Sequence, residues 1–146
     1  MRRDTITADL FEAYEVPTPR AALPGALAFG AVIRGLISEA IKASPLSRAA
    51  IAVRMSELTG QDITVHMINA WTAESRAEWR FPLEYLPAFE EATATHAITA
   101  WLADVRGGQL LVGREALNAE IGRLERMRDA AAHRLKQLKR FAGDGE

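Results

Sequence analysis

At 146 residues the chain has room for one domain with an appendage, or for two small domains. A hydrophobic content of 49% with 25% charged residues excludes the disordered regime, and the lack of cysteine excludes disulfides, thiolate chemistry and Cys-based zinc sites. The formal net charge of −1 gives no general pull toward nucleic acid, so any such affinity must come from local patterning.

No apolar run approaches the roughly 20 residues that span a bilayer, so no membrane partner is expected. Met1-Arg2-Arg3-Asp4 is followed by polar residues rather than an apolar core, so a secretory leader is not expected and the cytoplasm is the expected compartment. Residues 1–25 read as an irregular arm. Pro17, Pro19 and Pro24 each remove a backbone donor and bias the preceding residue away from helix. Leu10, Phe11, Tyr14 and Val16 are apolar enough to lie over a domain; Arg2, Arg3 and Arg20 would serve an arm that reaches a second subunit or a DNA groove.

From Ala26 to Ala43 an alanine-rich and aliphatic stretch predicts a helix. Leu27, Val32, Leu36 and Ile41, with Ile33 and Ile37 beside them, form a broad apolar face. Gly30 and Gly35 each weaken an isolated helix by about 1 kcal/mol relative to Ala, and mark places for close helix packing. Ser44-Pro45 ends the segment.

The stretch Ser47 to Trp71 predicts two short helices around a turn. Ser47 suits an N-cap, and Ile51, Met55 and Leu58 share one face of the first helix. Gly60 suits a left-handed helix end, and Asp62 is the expected N-cap of the second helix. There Ile63, Met67 or Ile68, and Trp71 point inward, leaving Thr64, Val65, His66 and Asn69 outward. A helix with such a polar face, held by a preceding helix across a Gly turn, is a helix-turn-helix candidate.

The run Ile63-Thr64-Val65-His66-Met67-Ile68-Asn69-Ala70-Trp71 resembles the recognition helix of Cro/repressor-type helix-turn-helix regulators from phages and prophages. The similarity continues through Arg80-Phe81-Pro82-Leu83-Glu84-Tyr85-Leu86-Pro87-Ala88-Phe89-Glu90-Glu91-Ala92-Thr93, so that it spans Ser47 to Thr93. The connection before Ile63 is several residues longer than that family's tight turn. The resemblance implies a non-enzymatic regulator that reads the major groove of double-stranded DNA.

After Trp71 a charged segment runs to Trp79-Arg80. Pro82 suits the first turn of a further helix packed through Leu83, Leu86, Phe89 and Tyr85. Pro87 fits that helix only within its first turn. A helix over His96 to Val105 carries Ile98, Trp101 and Leu102, and Gly107-Gly108 stops it. The last forty residues change character. Leu110, Leu117, Ile121, Leu124, Ala131, Leu135 and Leu138 follow alternating spacings of three and four, with Arg128 at one seam position. This heptad repeat predicts a helix over 109–141 that pairs with a partner helix. A homodimer is the leading expectation; folding back within the chain, or pairing with another protein, are the alternatives.

Chemistry for catalysis is nearly absent. His66, His96 and His133 are far apart and lack metal-ligand spacing, no Gly-rich phosphate loop or G-x-S-x-G occurs, and Glu90-Glu91 and Glu74/Glu78 read as solvated faces. No catalytic site, metal or cofactor is expected. From Ser44 to Arg80 the bases Arg48, Arg54, Arg76 and Arg80 balance the acids Glu57, Asp62, Glu74 and Glu78. DNA contact would rest on Arg48, Arg76 and Arg80 for phosphates and on Thr64, Val65, His66 and Asn69 for bases, with Asn69 able to pair bidentately with adenine. Between Arg114 and Arg140 eight Lys/Arg face four Asp/Glu, a surplus that in part complements the helix dipole and that also suits DNA flanking the site.

The expected architecture is all-α: a compact helical bundle with a variant helix-turn-helix over 26–106, followed by a long C-terminal coiled-coil helix. The expected function is sequence-specific DNA binding by a dimer. The competing expectation is a helical adaptor or inhibitor that binds another protein through the coiled coil and the bundle surface.

Overall fold

Ser47 caps the helix that follows it: the Ala50 N–H donates to Ser47 Oγ (3.1 Å), filling one of the donors left free in a first helical turn. Around that start the computed structural model, which describes residues 15–143, sets six α-helices and two short 3-10 turns. They are α1 (Gly30–Ala43), α2 (Arg48–Thr59), α3 (Val65–Thr72), α4 (Leu86–Thr93), α5 (Ala97–Val105) and α6 (Arg114–Gly143). No named strand occurs among the described residues; Pro19 and Arg106 form an isolated antiparallel bridge. The all-α architecture expected from the sequence is present. No helix of the described residues is long and apolar enough to cross a membrane. Arg2, Arg3, Leu10, Phe11 and Tyr14 lie outside the described residues.

The chain divides into two units, Met1–Leu110 and Leu111–Glu146. In the first, α2 packs most closely on α4, and α1 contacts α3, α4 and α5. Ile37, Ile51, Met55, Ile68 and Phe89 are fully buried at the meeting of α1 to α4. Aromatic rings extend this core: Trp71 meets Phe81 edge-on at 5.0 Å, and Phe81 meets Phe89 at 5.5 Å. Such edge-to-face pairs add to the burial of their apolar area.

Several boundaries differ from the sequence expectation. The first helix starts at Gly30 rather than Ala26, because Pro24-Gly25 forms a turn in which Gly25 takes φ +76° and Ala26 donates to Leu23 O. Leu27, ahead of the helix, is therefore exposed; Val32 is exposed because it lies off the buried face of α1, which is Ile37, Ala40 and Ile41. Leu58 shares the face of Ile51 and Met55 but sits at the rim of the core beside Tyr85 and Pro87, exposed. Leu83 is also exposed, since Leu83–Tyr85 is a 3-10 turn. Pro87 falls in the first turn of α4, where its missing N–H costs no helical bond.

Residues around Pro19 run along the end of α5, where Arg20 N–H donates to Val105 O (2.9 Å). Gly107 takes φ +74°, and a Cβ there would lie 2.5 Å from Pro19 N. Only glycine lets these two backbones approach so closely. Glu90, expected on a solvated face, is instead buried: Oε1 accepts from the N–H groups of Ile98 and Thr99 (both 2.9 Å) and Oε2 from Thr99 Oγ1 (2.6 Å). It closes the N-terminus of α5 from the neighbouring helix, where a negative charge also complements the dipole.

The second unit is dominated by α6, a helix of 30 residues, about 45 Å long, with no buried residue. Leu117, Ile121, Leu124, Leu135 and Leu138 line one side of it and are all exposed.

Candidate nucleic-acid interface

The turn between α2 and α3 is built by hydroxyl groups. Ser56 Oγ lies 2.8 Å from Ala52 O and accepts from Ile63 N–H (2.9 Å), while Thr59 Oγ1 donates to Met55 O and accepts from Gln61 N–H. Gly60 ends α2 in the left-handed conformation, φ +66°. Residues 60–64 are thereby clamped at both ends, which makes a connection longer than a tight turn well defined.

Asp62 is not the cap of the second helix. Thr64 is: its Oγ1 accepts from Met67 N–H at 3.2 Å, and α3 starts at Val65. A cap two residues later follows from Ile63, which is buried and held by Ser56, so its backbone cannot join the helix. Ile63, Ile68 and Trp71 point inward as expected, and Thr64, Val65, His66 and Asn69 are exposed together.

Two polar tethers cross this face. Arg48, in the first turn of α2, donates from Nη1 to Asn69 Oδ1 (3.0 Å) and to Thr72 Oγ1 (3.1 Å). Arg76, in the 3-10 turn after α3, lies with Nη1 3.4 Å from His66 Nε2. Arginine can only donate, so a hydrogen bond here has the imidazole nitrogen as its acceptor. Trp79 then meets His66 edge-on at 6.4 Å between ring centres. Arg48 and Asn69 are thus brought together, as are His66 and Arg76. Arg80 is not joined to either pair: it lies beside Gly30 and Arg34 of α1, with Trp71 and Trp79, around a cleft of about 150 Å³.

Thr72 and Trp79 belong to this surface and were not singled out from the sequence. Thr72 follows Asn69 by three residues, the helical spacing that places both before one guanidinium. Trp79 gave no comparable signal, since its position depends on a turn. Among the described residues no three His, Asp or Glu side chains gather as a metal ion would need. Comparison with family models, curated proteins and solved structures finds no match to the chain.

Proposed function

We propose that this chain is a sequence-selective DNA-binding regulator of phage or prophage type, acting as a dimer through its C-terminal helix. The observation that carries the reading is α3 itself. One face is locked into the core by Ile68 and Trp71, with the buried Ile63 just ahead of the helix, while Thr64 at the cap and Val65, His66 and Asn69 stand exposed. Tethering by Arg48 holds Asn69 in one orientation, which a base-reading amide needs in order to choose adenine over other bases. Arg48 and Arg76 supply positive charge at the two ends of α3, where phosphates flanking a groove-bound helix lie. The exposed heptad seam of α6 supplies the joining element, and two joined heads bind with the second event effectively intramolecular.

A second reading rests on charge. Arg54 is paired with Glu57 at 3.1 Å, so the α2–α3 region carries little free positive charge. That favours an adaptor or inhibitor that docks on another protein. Gel shifts of the full chain on fragments of its genomic neighbourhood, repeated with a chain ending near Gly108, separate the two. Selective shifts that fall steeply with salt and weaken on truncation support the regulator. No shift at low salt by either chain sinks it.

A further inference from the structure

The exposed seam of α6 carries information about the direction of its partner. Ile121, Arg128 and Leu135 occupy the a positions of the heptad, and Leu117, Leu124, Ala131 and Leu138 the d positions. All of these are exposed. Flanking residues at e and g decide which way two such helices run.

In a parallel, in-register pair each g residue meets the e residue five positions on in the partner. Glu120 would then face Glu125 of the second copy, and Arg134 would face Lys139. Both contacts set like charges together. Arg128 would oppose its own copy across the seam. The stretch 134–140, with Arg134, Lys136, Lys139 and Arg140 and no acid, would lie against an identical stretch. The charged residues at the e and g positions, and Arg128 on the seam, therefore oppose the parallel arrangement.

Reversing one helix removes all four conflicts. Matching a to d in an antiparallel pair sets Ile121 opposite Leu138 and Leu124 opposite Leu135, each twice by symmetry. Arg128 then faces Ala131, the one small side chain on the seam, which leaves room for its stem to lie along the interface and its head to reach water. Glu125 comes beside Lys139 of the other copy, an opposite pair repeated at both ends.

We infer that α6 is an antiparallel self-association helix whose partner is a second copy of this chain. This rests on the proposed reading of α6 as the joining element, and is independent of DNA binding. It sets the two Arg114 residues, and so the attachment points of the two heads, at opposite ends of the pair, about 46 Å apart from 31 residues of helical rise.

The absence of cysteine makes the test direct. Full-length Ile121→Cys and Leu138→Cys, one tagged and one not, are mixed and equilibrated in a glutathione redox buffer. The mixed disulfide between the two variants is expected to dominate, with each variant alone staying largely reduced. Efficient disulfides of each variant with itself would establish the parallel pair and overturn the inference. The charge variant Glu125→Lys gives an independent sign. It loosens the antiparallel dimer about tenfold, and Lys139→Glu in the same chain restores it, whereas the same single change tightens a parallel dimer. A monomeric wild-type chain in sedimentation equilibrium at tens of micromolar would overturn self-association itself, orientation included.

Discussion

Arg48 Nη1 donates to Asn69 Oδ1 at 3.0 Å, tying the first turn of α2 to the outward face of α3. The same nitrogen reaches Thr72 Oγ1, so one guanidinium fixes two side chains a helical turn apart. In the proposed complex this makes Arg48 a positioning residue for Asn69 as well as a source of charge. Asn69→Ala is expected to cost about 1–3 kcal/mol on the preferred operator and little on unrelated DNA. Arg48→Ala should lose much of the same discrimination, and the double variant little more than either single one. Competition gel shifts across a panel of sites measure all three; full additivity would show that the two residues act separately.

Thr64 has a structural duty that its exposed position conceals. Because Thr64 Oγ1 caps α3, Thr64→Ala should lower the stability of the first unit by about 1 kcal/mol in urea denaturation. Thr64→Asp keeps the cap and should restore most of it, whereas Asp62→Ala should change stability by less than about 0.5 kcal/mol. An Asp62 effect as large as that of Thr64 would contradict the assignment of the cap.

Glu90 gives a larger expected effect. Glu90→Ala leaves the N–H groups of Ile98 and Thr99 and the Thr99 hydroxyl without their acceptor at a buried site, at a cost of about 2–4 kcal/mol. Glu90→Gln retains an acceptor oxygen for the two N–H groups and should cost clearly less. Thermal unfolding followed by circular dichroism distinguishes them; equal losses would mean that the charge, rather than the acceptor geometry, holds α5.

The inward seam of α3 was legible because Ile68 and Trp71 lie one helical turn apart, with the apolar Ile63 just before the helix. The Ser47 cap, the Gly60 helix end and the long α6 were legible for the same reason: each depends on neighbours in the sequence. Glu90 was not, since its partners lie eight and nine residues away across a turn, and an acidic pair on a helix usually faces water. Leu27 lies before the start of α1, which the Pro24-Gly25 turn delays, and Val32 lies within the helix but off its buried face. The tether between Arg48 and Asn69 spans 21 residues and exists only once two helices have packed. Arg80 carries the same charge as Arg76 four residues earlier, yet the turn between them sends it toward α1.

Gly107 and Gly60 both take positive φ, but their surroundings differ. At Gly60 an added Cβ meets nothing within 4 Å, so Gly60→Ala should cost only the backbone penalty of about 1–2 kcal/mol. At Gly107 the same group would lie 2.5 Å from Pro19 N and 2.6 Å from Pro19 Cδ. Gly107→Ala should therefore also displace residues around Pro19 from α5, breaking the Arg20–Val105 hydrogen bond. Amide exchange at Arg20 reads this loss directly, and unchanged protection there would show that the two segments are not held by that approach.

The placement of Arg76 and Arg80 separates two cations that look equivalent in the sequence. Arg76 stands at the end of α3 with His66, on the face proposed to meet DNA, whereas Arg80 lines the cleft against Gly30 and Arg34. A phosphate contact releases counterions, so removing one lowers the slope of log K against log salt by about one and weakens all sequences alike. Arg76→Ala should show that change with operator preference intact. Arg80→Ala should leave the slope unaltered and act, if at all, through the stability of the cleft. Binding isotherms at four or five salt concentrations measure both slopes. A reduced slope for Arg80→Ala alone would move the DNA to the α1 side of the unit and make His66 and Asn69 the wet face of an ordinary bundle helix.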